Sequence, residues 1–218
     1  MRRLAIFDCD GTLVDGQASV CMAMEDAFAA SGRPAPPRNL IRRAVGLSLP
    51  QAMAQLLPKE RDATHQELAE RYRLAFRERR TAGDIDEPLF DGIVDVLRGL
   101  GDAGWTMAVA TGKSDRGLAH CLAVHDIGSY FVSLQTADRH PSKPDPSMID
   151  QCLADTGIAP ENAVMIGDTT FDIVMAINAG VMPVGVSWGY HPPAELKAAG
   201  ARRIAKDPQD LIRKVAAT

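Results

Sequence analysis

"LAIFDCDGTLVDG", residues 4–16, runs from a short apolar segment into three carboxylates, Asp8, Asp10 and Asp15. Nearly continuous apolar runs suit strands buried on both faces of a parallel sheet. Acids crowded at the end of such a strand repel one another. Either they lie in solvent as ordinary turn residues, or a cation and some chemistry hold them there.

From Asp91 onward, helical and strand-like segments alternate. "GIVDVLRGLGDAG" places Ile93, Val94, Leu97 and Leu100 at helical spacing and ends in glycine. "WTMAVAT" reads as a buried strand ending at Thr111. Helix "SDRGLAHCLAVHDIG", strand "YFVSLQT", helix "DPSMIDQCLADTG", strand "NAVMIGD", helix "TFDIVMAINAG" and strand "MPVGVSW" follow. The tail reads helix "PAELKAAG", strand "RRIAK" and helix "PQDLIRKVAA". This order predicts an α/β fold, a doubly wound parallel sheet with helices on both faces. Ligands in such folds bind beyond the carboxyl ends of the strands.

Residues 16–83 break the rhythm with helices alone: "ASVCMAMEDAFAASG", "RNLIRRAVG", "LPQAMAQLLP" and "DATHQELAERYRLAFRERRTAG". An inserted all-helical domain is expected over 16–83, with 1–15 and 84–218 forming the α/β core. Gly16 and Gly83 flank it as expected hinges. In the last helix Leu68, Tyr72, Ala75 and Phe76 form an apolar stripe. Arg71, Arg73, Arg77, Glu78 and Arg80 read as its solvated face.

The 218 residues, 46% hydrophobic and 24% charged, fit one globular domain carrying an insertion. A net charge of -4 argues against nucleic acid or anionic membrane as partner. No apolar run approaches the roughly 20 residues that span a bilayer, and the one after "MRR" is too short for a signal peptide. The expected location is the cytoplasm, and the expected assembly a monomer or homodimer. Cys9, Cys21, Cys121 and Cys152 are scattered without C-x-x-C, so reduced packing thiols are expected, with Cys9 the one open to oxidants. His65, His120, His125, His140 and His191 lack metal-ligand spacing and read as surface or capping residues.

Three strand-like runs end in polar residues, at Asp8, Thr111 and Asp168. In a parallel sheet these share one edge, with Asp10 and Asp172 just beyond. Singly, such acids commonly cap a helix, and Lys143 in "DRHPSKPDPS" would be a surface lysine. Jointly, carboxylates at one edge suit a hard cation such as Mg²⁺, which takes one or two protein carboxylates plus a substrate phosphate. "TGKS", residues 111–114, opens a helix whose free N–H groups favour a phosphate. It lacks the upstream glycine of a Walker loop.

"DCDGTLVD", "ATGKS", "SKPDP" and "GDTTFD" resemble, in order, the four signature motifs of the haloacid dehalogenase superfamily. The match spans nearly the whole chain. The helical insertion resembles the small cap of the phosphoglycolate-phosphatase-like branch, although Gly16 stands where many relatives have serine. The resemblance implies a Mg²⁺-dependent phosphatase that hydrolyses a small-molecule phosphate monoester, phosphoglycolate-like, through an aspartyl-phosphate on Asp8. Asp10 is implied as general acid and then base. The metal falls to Asp8, Asp168 and the Asp10 carbonyl, with Asp172 supporting it directly or through water. Thr111, the Gly112 N–H and Lys143 are implied to hold phosphoryl oxygens.

The resemblance also carries rivals. An acid at Asp10 separates this chain from haloacid dehalogenases and from transport ATPases. A phosphomutase of the β-phosphoglucomutase kind would place an arginine in "GLSLPQAM" to grip a second phosphate; this chain offers Leu49 and Pro50 there. Hydrolysis is therefore favoured, with inorganic pyrophosphate as a subordinate substrate and a non-catalytic scaffold disfavoured by the intact Asp8, Asp10, Lys143 and Asp168. For the substrate, the cap offers Arg42, Arg43 and Ser48, of which Arg43 is taken as substrate-binding. "GVSWGYHPPAELKAAGA", residues 185–201, also resembles this branch, and its Trp188 and Tyr190 read equally as cleft-lining or packing residues.

Overall fold

A computed structural model describes residues 2–216. Strands β1 (Arg3–Phe7), β2 (Trp105–Thr111), β3 (Ser133–Thr136), β4 (Ala163–Gly167), β5 (Met182–Val186) and β6 (Arg203–Ala205) form one sheet. Their order is β3-β2-β1-β4-β5-β6, and each pairing is parallel. The chain thus builds outward from β1 on one side, then returns to place β4 on the other. Between β1 and β4 the crossovers diverge, which opens a crevice beyond the strand ends.

Alternation along β1 explains why it is apolar throughout. Ala5 and Phe7 enter one core cluster, Leu4 and Ile6 another on the opposite face. The first face is covered by α5 (Ile93–Asp102), α6 (Asp115–Val124) and α10 (Pro208–Ala216), through residues such as Leu97, Leu118 and Leu211. The second is covered by α7 (Ser147–Thr156) and α8 (Thr170–Asn178), through Ile149 and Met175. The expected strand "YFVSLQT" is shorter than its pattern suggested. Gly128–Tyr130 forms a 3₁₀ turn, and Phe131 packs edge-on against Phe7, with centroids 6.1 Å apart, before β3 begins.

Between β1 and α5 lie α1 (Gln17–Ala30), α2 (Arg38–Ala44), α3 (Leu49–Leu56) and α4 (Asp62–Ala82). They bury a cluster of their own that includes Phe28, Ile41, Met53, Leu68 and Tyr72. Arg79 ties α4 back to α1 through both carboxylate oxygens of Asp26. The two flanking glycines differ. Gly83 ends α4 with a φ of 81°, a left-handed conformation that glycine accepts freely. Gly16 has an ordinary φ of -96°, and what matters there is space. A Cβ at Gly16 would lie 3.2 Å from Glu87 Oε1 and 3.3 Å from Asp10 Oδ1.

Polar contacts hold the helical block over the strand ends. The Ser48 N–H donates to Ser142 Oγ at 2.8 Å, and Ser19 Oγ donates to the Asp86 carbonyl at 2.8 Å. Among the described residues no helix is long and apolar enough to cross a membrane.

Phe28 is fully buried in the insertion's own cluster, remote from the sheet. Phe28→Ala is expected to lower stability by about 3–5 kcal/mol, as cavity-forming aromatic truncations do. Urea denaturation checks it.

Candidate active site

Asp8 follows β1 directly, and its N–H continues the ladder to the Ile166 carbonyl at 2.9 Å. Asp168 follows β4, so the two acids stand side by side at the crevice. Gly11, at a φ of 81°, carries the chain past Asp168 so closely that a Cβ would fall 2.1 Å from Asp168 Oδ2. Only glycine fits there. Thr12 Oγ1 then donates to Asp168 Oδ1 at 3.0 Å, and the Tyr190 N–H donates to Oδ2 at 2.8 Å. Asp172 is held by a capping box at the start of α8, where the Thr169 N–H and hydroxyl donate to its Oδ2 at 3.0 and 2.7 Å. Lys143 reaches in from the loop before α7, with Nζ 2.9 Å from Asp8 Oδ1 and 2.7 Å from Asp172 Oδ1.

Asp8, Asp168 and Asp172 each offer an oxygen within 4.8 Å of the others, and all are buried. Three carboxylates face one ammonium; with all three ionised, an excess of two negative charges is left, which a divalent cation would cancel. Asp8 Oδ2 is buried without a hydrogen-bond partner, so one ligand oxygen stands ready. The donor set is all oxygen, as a hard cation requires. Burial pushes the Asp8 carboxyl up to about 7, against the pull of Lys143 and with a further push from Asp172. Burial, then repulsion from Asp172 and Asp8, holds Asp168 well above the usual carboxylate range. Lys143 behaves oppositely: burial would lower it, but Asp172 and Asp8 more than offset this and keep it charged.

Asp10 belongs to a second charge group. Its Oδ1 lies 2.9 Å from Lys113 Nζ, which is also 2.6 Å from Glu87 Oε1. Burial raises the Asp10 carboxyl, partly countered by Lys113. Glu87 comes from the segment returning from α4, and its carbonyl accepts from His125 Nε2 at 2.8 Å. Arg80 Nη2 lies 3.8 Å from Glu87 Oε2. The crevice thus keeps its acids apart with two lysines. At Gly112, a Cβ would lie 2.6 Å from the Gly46 carbonyl and 2.8 Å from that of Leu47. The insertion therefore passes directly over this loop. The Thr111 hydroxyl accepts from the Lys113 N–H at 3.3 Å.

The structure brings Asp8, Asp10, Thr111, Gly112, Lys143, Asp168 and Asp172 to one edge. It sends Arg43 elsewhere: its guanidinium makes a bidentate pair with Glu195 at 2.7 and 3.1 Å, which ties the insertion to α9 (Pro193–Ala198). Arg42 donates to Gln17 Oε1 at 3.0 Å. Lys143 is buried rather than a surface residue, because its partners are. The arginine-rich face of α4 is not all solvated; Arg80 turns inward over the Phe76 ring, 5.0 Å from its centroid.

Cys9 is buried, not open to oxidants, with its sulfur 3.8 Å from that of Cys121. His65 and His191 are buried as well. His191 Nδ1 accepts from the Thr170 N–H at 3.1 Å, so Nε2 donates to the Arg43 carbonyl at 3.2 Å. Burial lowers its pKa and keeps this ring neutral. Trp188 packs against Phe90 and donates to the Thr12 carbonyl at 3.2 Å. Tyr190 keeps a buried hydroxyl without a partner.

Lys113 and Glu87 were missed by sequence reasoning. Lys113 sits inside "TGKS", where a helix start explained the motif without it; Glu87 lies in a linker with no local signal. The capping box at Thr169 and Asp172 has a local signal in its T-x-x-D spacing, which the reading of Asp172 as a helix-capping acid did not use.

The profile of the family described as haloacid dehalogenase-like hydrolase matches residues 5–186. The chain is 36% identical over 216 residues to "probable phosphatase IndB" of Dickeya dadantii (strain 3937), covering 97% of this chain and 93% of that one. It is 28% identical over 219 residues to a phosphoglycolate phosphatase of Vibrio parahaemolyticus, covering 98% and 96%. Its fold superposes on a crystal structure of a "predicted phosphatase" from Clostridium acetobutylicum with a TM-score of 0.90 and full coverage of both chains, at 23% identity.

The pKa of Asp8 rises from 3.8 to about 7 on folding, so without a cation the folded state binds a proton that the unfolded state has lost. That contribution to stability is present below the unfolded value and is lost as pH rises toward 7. A divalent cation must displace this proton. The rise in melting temperature on adding Mg²⁺ is therefore expected to be larger near pH 8 than near pH 5.5. Equal shifts at both, by scanning fluorimetry, would contradict the assignment.

Proposed function

The chain belongs to the haloacid dehalogenase-like hydrolase family, and on that premise we propose that this phosphatase hydrolyses a small-molecule phosphate monoester, with Mg²⁺ at Asp8, Asp168 and the Asp10 carbonyl. The observation that carries the reading is the buried acid trio with its single lysine, set beside a separately held Asp10. When bound, Mg²⁺ would supply charge neutralisation, so that a carboxylate can approach an anionic phosphate.

Asp8 is the nucleophile. Its Oδ1 is engaged by Lys143 and by the Cys9 N–H at 2.7 Å, while Oδ2 has no hydrogen-bond partner. Attack on phosphorus forms an aspartyl-phosphate as the bond to the alcohol oxygen breaks. Asp10 gives that oxygen a proton, then takes one from the water that attacks the aspartyl-phosphate. The Thr111 hydroxyl, the Gly112 N–H and Lys143 hold the phosphoryl oxygens as charge shifts among them. Asp172 acts by positioning Lys143 through the contact at 2.7 Å.

The helical block over residues 16–83 serves as the cap that closes on the bound ester and excludes water. The bridge from Arg43 to Glu195 and the bond from His191 to the Arg43 carbonyl stabilise closure. A phosphomutase reading lacks support, because Arg43 is engaged by Glu195.

The first test is activity on a generic aryl phosphate with Mg²⁺ and with excess chelator. Turnover should require the metal, and Asp8→Asn should abolish it while circular dichroism and the melting profile stay native. Full activity in chelator, or turnover by a folded Asp8→Asn, would refute the reading. Asp10→Asn should slow kcat by about 10²- to 10⁴-fold on esters of poor leaving alcohols and much less on those of good ones. A loss independent of the leaving group would remove Asp10 from the proton transfer.

A further inference from the structure

A cavity of about 430 Å³ lies between the helical insertion and the α/β core, with Asp10, Gly112 and Lys113 among its lining residues. That volume falls within the roughly 300–1,000 Å³ typical of sites for drug-sized ligands. The two-carbon alcohol of phosphoglycolate would leave most of it unfilled.

Its walls carry two kinds of chemistry. Met24, Ile41, Leu49, Tyr72 and Phe76 present apolar and aromatic surface from the insertion. Arg77 and Arg80 of α4 and Arg116 of α6 add guanidinium groups, a local positive excess in a chain of net charge -4. The other two basic residues of the lining are already matched: Arg73 pairs with Glu70, and Lys113 with Asp10 and Glu87. Arg80 is not. Its Nε is buried without a hydrogen-bond partner, and its ion pair to Glu87 spans 3.8 Å. Arg77 and Arg116 have no ion-pair partner among the described residues. Guanidinium groups over an aromatic wall favour an anionic group on an apolar body.

We propose that the alcohol released by this enzyme carries a bulky apolar body, seated against Phe76, Tyr72 and Ile41, and beyond it an anionic group received by Arg80 with Arg77 and Arg116. The proposal rests on the phosphatase reading above. The bond broken is the one from phosphorus to this alcohol's oxygen, which takes its proton from Asp10. Water supplies the oxygen and proton of the released phosphate. Arg80 is thereby the specificity-determining residue of the cap, a role that its place in a charged helix face concealed.

The test compares kcat/KM of the full chain with Mg²⁺ on phosphoglycolate, benzyl phosphate and 4-carboxybenzyl phosphate, all esters of alkyl alcohols. The carboxybenzyl ester is expected to exceed each of the others by about tenfold or more. Arg80→Gln should cost the carboxybenzyl ester about tenfold more than it costs the benzyl ester, mainly through KM. Arg77→Gln combined with Arg116→Gln, at more exposed positions, gives the same comparison if Arg80→Gln fails to fold. Preference for phosphoglycolate over both benzyl esters overturns the proposal while leaving the phosphatase reading intact. So does an equal loss on the two benzyl esters in folded variants. Inactivity toward every phosphate monoester, generic aryl phosphates included, overturns the phosphatase reading and the proposal together.

Discussion

The ammonium of Lys143, buried between Asp8 and Asp172, is the interaction on which the crevice depends. It joins three segments distant in sequence: the end of β1, the loop before α7 and the first turn of α8. Removing one partner from such a pair leaves a bare charge in a dry interior, at a cost of about 3–5 kcal/mol. Asp172 uses its second oxygen to cap α8, so the helix and the lysine share one carboxylate. Because a single lysine cannot balance three acids, the crevice remains short of positive charge. That deficit is both a burden on the fold and the reason a divalent cation would bind.

A second buried cation does comparable work for the covering block. Lys113 joins Asp10, at the sheet edge, to Glu87, in the segment returning from α4. The position of that segment is therefore felt at Asp10, the carboxylate we propose as the proton donor to the leaving group. The close passage of Gly46 and Leu47 over Gly112 explains why no side chain fits at that glycine. Closure over the crevice thus uses backbone against backbone, with His191 and Arg43 fastening one side.

The fold was legible because its signals are local and repeated. Apolar strands such as "LAIFD" and "VMIGD" have little alternative to burial on both faces, and the helices between them show clear periodicity. The acids at strand ends, Asp8 and Asp168, followed from the same pattern once the sheet was parallel. Glu87 had no such signal, since a linker glutamate owes its role to a lysine 26 residues away. Arg80 misled for a related reason. A charged face on a helix reads as solvated until something packs beside it, and here Phe76 and the sheet edge enclose that face in part. Arg43 erred the other way, because Glu195 lies 152 residues off and could not be seen as its partner.

By itself, the sequence determined the α/β alternation, the helical insertion and which residue types stand at the strand ends. These depend on periodicity and turn chemistry within a few residues. Tertiary structure decided the pairing of charges: Lys143 with Asp8 and Asp172, Lys113 with Asp10 and Glu87, Arg43 with Glu195. It also decided that Arg80 faces the cavity with an unpartnered N–H. Coulomb interactions depend on distance in space and on local burial, and neither can be read from separation along the chain.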